Sequence, residues 1–434
     1  MKSFQIIVVA VFIACALFAV LVFSGTIKIG KQDAKPGSLG SVSVWGTVGG
    51  EVVNKVIEDF NNNNTNLFTI QYSQKSPDTF NDELLEALAS GKGPDLFLLP
   101  DYLGYRYANK IYSIPYSSYP IANFKNNFVG AGEVFLNSKG VLALPLTVDP
   151  MVMYYNRTIL DANNIIYPPA YWDDFSSLVS TITKKDDSKQ IVKSAVALGQ
   201  FSNITNAKEI LVSLFMQTGN NIINENNNVY FSSLNQTFNE STAKILGSVL
   251  SFYTSFSDPL KETYSWNRSL PASKDYFSSE HLAFYFGFAS ELQSLVDKNP
   301  NQNFQIAAMP QIKNSNSKVT SAHVVGIAIS SSSKNLNTAV TAAITLATGE
   351  FAEKFAIASN IPPARRDLLV SKPNDTYAPL FYASALYAKS WLDPDREGTN
   401  LIFKNMIEGV LSNSLPPEEA IADADGKLNL LLLK

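Results

Sequence analysis

From Ser41 onward, apolar residues recur first at the two-residue spacing of a strand, then at the three-to-four-residue spacing of a helix, and the alternation repeats. Ser41–Trp45 predicts a strand, with Gly46, Gly49 and Gly50 loosening the turn after it. Val52, Val53, Val56, Ile57 and Phe60 mark one face of a helix that ends at Asn61–Asn64. Phe68–Tyr72 alternates as a second strand. Phe80, Leu84, Leu85 and Leu88 form the face of a second helix that stops at Gly91, and Asp95–Leu99 reads as a continuous apolar strand of the buried parallel kind. Such a strand–helix succession predicts an α/β sheet with right-handed crossovers. The same alternation returns with strands over Ala195–Leu198, Leu282–Phe286, Phe304–Met309 and Val324–Ile329. Helices are predicted over Phe175–Lys184, Ala207–Gln217, Thr242–Phe256, Asn335–Thr348 and Glu350–Ser359, and the last third is mostly helical.

One segment breaks the pattern. Ile6–Phe23 is unbroken apolar sequence, and as a helix it rises about 27 Å, close to the hydrocarbon thickness of a bilayer. An uncleaved N-terminal transmembrane helix is the expectation. Two alternatives stand beside it: a lipoprotein signal at Cys15, after Phe12-Ile13-Ala14, and a cleaved signal near Ser24-Gly25. All three place the rest of the chain outside the cytoplasmic membrane. Residues 25–40, small, polar and broken by Pro36-Gly37, predict a tether.

Composition narrows the chemistry. The 434 residues are 46% hydrophobic and 17% charged, which suits a folded chain of two or three domains. A net charge of −4 without a Lys/Arg run argues against nucleic acid. The single cysteine, Cys15, lies in the N-terminal run, so disulfides, thiolate metal sites and cysteine nucleophiles are excluded from the folded part. With only His281 and His323, a histidine metal cluster or a Ser-His-Asp triad is poorly supplied. No cofactor and no metal is expected.

The segment Gly140–Asp174 carries the most information. An apolar strand meets Pro145, an acidic turn at Asp149-Pro150 follows, and a second strand ends in Tyr155-Asn156-Arg157. Pro168-Pro169 then breaks the chain before a helix opening with Trp172-Asp173-Asp174-Phe175. With Gly91-Lys92-Gly93-Pro94-Asp95 earlier, this order and spacing resembles the extracellular solute-binding proteins of ABC transporters, family 1, the group similar to maltose-binding protein. The resemblance covers almost the whole chain from residue 41. It implies a two-lobe periplasmic-binding-protein-like α/β fold of type II. Lobe I is expected from 41–145 plus 318–362, and lobe II from 146–317 plus 363–434. Crossings are expected near Leu146, Thr320–Ile329 and Pro362-Pro363, with 1–40 as anchor and tether.

By the same resemblance, Asp101 and Tyr102 fall in a cleft-facing loop, and Asp149 aligns with an acidic cleft residue able to accept two sugar hydroxyls. Trp45, Trp266, Phe288 and Trp391 are candidate stacking faces, and each has buried core as its alternative. Tyr154, Tyr155, Asn156 and Trp172 are expected to be structural.

The function implied is a monomeric, membrane-tethered receptor on the extracellular or periplasmic side. It would capture a sugar, an oligosaccharide or another polar solute by hinge closure and pass it to ABC permease subunits. Two alternatives are kept. One is a surface carbohydrate-active enzyme using carboxylates such as Asp149, Asp101 or Glu280. The other is a sensor or adhesion module without a transporter.

Overall fold

The computed structural model describes residues 39–433, other than 227–228, 235–239, 316–317 and 372. The N-terminal apolar run, Cys15 and most of the tether lie outside the described residues. Among the described residues no helix is long and apolar enough to cross a membrane.

The first strands and helices follow the predicted order. They are β1 (Ser41–Gly46), α1 (Gly50–Asn63), β2 (Thr69–Gln74), α2 (Phe80–Ala89) and β3 (Leu96–Pro100). Helix α1 buries Val53, Val56 and Ile57, and α2 buries Phe80, Leu84 and Leu88, at the spacing of one helical face. Gly91, at φ +66, lets Lys92 N reach back to Ala87 O at 2.9 Å and closes α2. Strand β3 is buried on both faces. Leu96 and Leu98 belong to one hydrophobic cluster, Phe97 and Leu99 to another.

The middle of the molecule is built on β4 (Ala143–Asn156), which runs unbroken for 14 residues through Pro145, Asp149 and Pro150. The two strands and acidic turn expected here are therefore one strand. Proline gives no N–H to a ladder, and β4 accommodates this with an irregularity. Its antiparallel register with β8 (Thr320–Ile329) shifts between Val325 and Gly326, opposite Pro145. There the segment 362–364 joins the ladder. Val148 N donates to Pro362 O and Ala364 N to Leu146 O, both at 2.9 Å. Beyond the irregularity β4 continues beside β6 (Leu282–Phe288) and β7 (Phe304–Ala307). Strand β5 (Ile191–Val196) lies outside β6. The sheet order is β2-β1-β3-β8-β4-β6-β5, closed by Lys184–Lys185.

Two lobes result. Leu144 and Leu146 of β4 pack in the first lobe, whereas Met151 to Tyr154 pack in the core of the second. That second core also holds α3 (Ala207–Gln217), buried along its whole length, with α4 (Arg396–Leu411) and α5 (Pro417–Leu432) packed on it. Residues from 363 on were expected with lobe II. Ala364, Leu369, Tyr382, Ala385 and Ala388 pack in the clusters of lobe I, whereas Phe381 and, from Ile402 on, α4 and α5 pack in the second core. The 362–364 bridge holds the start of this segment against lobe I.

Two local features match their structural expectation. Trp172 is buried and donates from Nε1 to Gln217 Oε1 at 2.8 Å. Asn156 caps the following helix, accepting from Ile159 N at 2.9 Å.

Candidate functional site

The lobes meet around a cleft walled by Asp101, Tyr102, Lys208, Glu209, Ser321, Ala322, His323, Ser390, Trp391, Asp393 and Arg396. It holds about 310 Å³ of empty space, its open mouth included. Each group arrives from a strand end or a helix start. Asp101 and Tyr102 follow β3, and Ser321 to His323 belong to β8, the strand next to β4. Lys208 and Glu209 open α3. Asp393 to Arg396 open α4, where Asp395 caps the helix by accepting from Gly398 N at 3.2 Å.

The acidic groups differ in what they have left to offer. Asp101 is 3% exposed. Its Oδ1 accepts from Tyr102 N at 2.9 Å and faces His323 Nδ1 at 3.4 Å. Its Oδ2 accepts from Val324 N at 3.2 Å and from the Ser390 hydroxyl. The four acceptor directions of the carboxylate are thus engaged. Asp393 is bound by Lys208 Nζ at 2.7 Å and Thr399 Oγ1 at 2.9 Å. Burial raises its pKa, with Lys208 opposing. Glu209 is also buried, and apart from Lys208 at 3.9 Å its carboxylate has no polar partner among the described residues.

Two aromatic faces complete the walls. Trp391 has Lys208 Nζ 5.6 Å from its ring centroid, and Tyr102 has the Arg396 guanidinium at 4.9 Å. Burial raises the Tyr102 pKa, with Arg396 pulling it back. His323 stands beside them, its ring 4.5 Å from Phe288 and 6.3 Å from Tyr102. Among the described residues no cluster of three or more His, Cys, Asp or Glu side chains is arranged to hold a metal.

A family model described as bacterial extracellular solute-binding protein matches residues 55–378, most of the chain. The chain belongs to that family. Among curated protein sequences none matches this solute-binding protein. Solved structures do match in fold. A cyclo/maltodextrin-binding protein complexed with maltotetraose has a TM-score of 0.70 at 18% identity, over 92% of this chain and 98% of that one. The cyclic α-maltosyl-1,6-maltose binding protein from Arthrobacter globiformis has a TM-score of 0.71 at 13% identity, over 90% and 98%. The sugar-binding protein MalE from Xanthomonas citri has a TM-score of 0.69 at 17% identity, over 91% and 97%.

Of the residues expected in the cleft of this solute-binding protein, the structure brings together Asp101, Tyr102 and Trp391. Asp101 has the expected position, but its oxygens are occupied by the protein's own donors. Asp149 lies one strand away, directly opposite His323 in the β4–β8 ladder and therefore on the same face. It accepts from Ser290 N at 2.9 Å. Burial pushes its pKa up to about 6, against the pull of Ser290 and His323. Phe288 is 5% exposed and packs on the His323 ring without walling the cleft.

Two tryptophans are elsewhere. Trp266 is fully buried in the lobe II core, with Nε1 donating to Asn203 Oδ1 at 3.1 Å, so it offers no stacking face. Trp45 lies within β1. Its ring packs against the Phe97 side of the sheet under Lys75 Nζ at 3.9 Å, outside the cleft walls. Sequence reasoning missed Lys208, Glu209, His323, Asp393 and Arg396. The available signals were Lys208-Glu209 at the start of a predicted helix and the Asp393-Pro394-Asp395 turn before the last helices.

Proposed function

We propose that this protein is the solute receptor of an ABC importer and captures a sugar or short oligosaccharide by closure of its two lobes. The observation that carries this is the cleft itself. Groups from the loop after β3, from β8 and from the second lobe converge on one space with two aromatic faces and one buried carboxylate that has acceptors to spare. Stacking faces combined with a few fixed polar groups suit a polyhydroxylated ring. The sugar ligands of the similar solved structures favour the same class. We place the binding domain outside the cytoplasmic membrane, tethered by the N-terminal apolar run, monomeric, and delivering to permease subunits.

A binder is favoured over a hydrolase by the state of the carboxylates. Glycoside hydrolysis needs a pair flanking one bond. Asp101 and Asp393 are spent on protein partners, and Glu280, in contact with Asn299 at 3.4 Å, is not in the cleft walls.

The test is a thermal-shift screen against mono- and oligosaccharides, polyols, peptides and amino acids, since a ligand raises the melting point by mass action. A sugar hit is expected, accompanied by a smaller radius in small-angle scattering at saturation. A shift with peptides alone refutes the carbohydrate assignment, and an unchanged radius at saturation refutes the closure.

A further inference from the structure

We propose that His323 is a charged hydrogen-bond donor to the captured solute, positioned by Asp101, and that it makes capture weaken as the medium turns alkaline. This rests on the solute-receptor function proposed above. Three neighbours fix the ring. Asp101 Oδ1 lies 3.4 Å from Nδ1, Phe288 packs at 4.5 Å with an interplanar angle of 34°, and Tyr102 presents its edge at 6.3 Å. The side chain is still 31% exposed and walls the cleft. Asp101 engages one ring nitrogen. The other makes no hydrogen bond to any described residue, and an imidazolium donates from both. Asp101 also accepts from Tyr102 N in its own loop, from Val324 N on β8 and from the Ser390 hydroxyl, so its carboxylate is fixed beside the ring.

The charges facing this ring are acidic on three sides. Asp101 comes from the loop after β3, Asp149 from the opposite position on β4, and Glu209 from α3. The cleft's cations, Lys208 and Arg396, are taken up with Asp393 and with the Tyr102 ring. Burial pulls the imidazole pKa down, but the Asp101 charge and bond, with Glu209 and Asp149, outweigh it and hold the pKa above its usual 6.5. The sign follows. Charge on the ring is fully present at low pH and is lost as pH rises through this elevated pKa. A solute oxygen accepting from the second N–H raises the pKa further, so affinity is highest with the ring charged and falls once it is neutral. Asp149, at about 6, is already ionised by pH 7, and the Tyr102 pKa is raised from 10, so the window between about pH 7 and 9.5 reports His323.

The experiment is calorimetric titration of the full chain with maltose and maltotetraose across that window, together with NMR titration of the histidine rings. The chain has two histidines, so His281→Gln assigns the spectrum. The wild type is expected to lose roughly tenfold in affinity from pH 7 to 9.5, the usual difference between a charged and a neutral donor. His323→Gln, which keeps a donor that does not titrate, is expected to bind with a flat pH profile. The His323 ring is expected to titrate above 6.5 and higher still with sugar bound. A flat wild-type profile, a ring pKa unmoved by bound sugar, or wild-type affinity in a folded His323→Phe variant overturns the inference. If neither sugar binds at any pH, the carbohydrate assignment falls, and the ring decides this inference alone: titration at or below 6.5 overturns it and titration above supports it.

Discussion

Replacing Lys208 with Met tests the electrostatics at the base of the cleft. Lys208 is 3% exposed and Asp393 4%, and their 2.7 Å contact joins α3 to the start of α4. Removing one member of a buried pair leaves an uncompensated charge and costs about 3–5 kcal/mol. Asp393 keeps donors from Thr399 Oγ1 at 2.9 Å and Asp395 N at 3.2 Å, which places the loss at the lower end, about 3 kcal/mol. Asp393 already holds its proton more tightly in the folded protein than in the unfolded chain, because burial raises its pKa. Without Lys208 the rise is larger. The folded state then binds the extra proton, so the deficit is greatest at neutral pH and shrinks as pH falls towards the folded pKa. The assay is urea unfolding followed by circular dichroism at pH 7.5 and 4.5, on Lys208→Met and on Lys208→Met/Asp393→Leu. The double variant, with no stranded carboxylate at position 393, is expected to recover most of the loss. A single variant within about 0.5 kcal/mol of wild type, the usual surface range, refutes the reasoning. So does a double variant less stable than the single one.

Three further outcomes are expected. Trp266→Ala should cost about 3–5 kcal/mol of stability, since it empties a fully buried site, while the molecules that remain folded bind solute normally by calorimetry. Trp391→Ala should weaken solute binding by about 1–3 kcal/mol, as loss of a half-buried aromatic anchor does, while the protein still folds. For Asp149, a folded pKa of about 6 against 3.8 in the unfolded chain means that stability is lost as pH rises between those values. Melting curves at pH 4 and 7.5 should therefore show Asp149→Asn gaining on wild type at the higher pH.

Helices α1 and α2 and strand β3 were legible because each shows one period and faces one or two cores. Helix α3 illustrates the opposite case. Its position was read correctly, but nothing in its period showed that it is buried along its whole length, Lys208 and Glu209 included. Only tertiary packing turns them into cleft groups. Trp266 and Trp45 were misplaced for a related reason. An aromatic side chain fits a crevice and a core equally well until the neighbours are known, and Asn203 and Lys75 supply the answer. Pro145 and Pro150 read as breaks in a strand. They sit inside one because β8 shifts register and residues 362–364 bond to the positions between them. His323 carried no periodic signal at all. Its importance comes from a loop more than two hundred positions away, through Asp101.

The place of β8 in the sheet sets an order of events for folding. Strand β8 lies between β3 and β4, and its Val324 N bonds the side chain of Asp101, just past β3 and 223 positions earlier in the chain. Until residue 329 has left the ribosome, the first lobe lacks the strand that separates two of its own, and both Leu98 and Leu144 lack the Ile327 side of their cluster. The first lobe in sequence therefore cannot close early in synthesis, nor can the second, whose core waits for α4 and α5, and long-range pairing of this kind makes assembly slow. A nascent chain built this way stays open and threadable for most of its synthesis, which is the physical state a protein needs while it is drawn through a membrane pore.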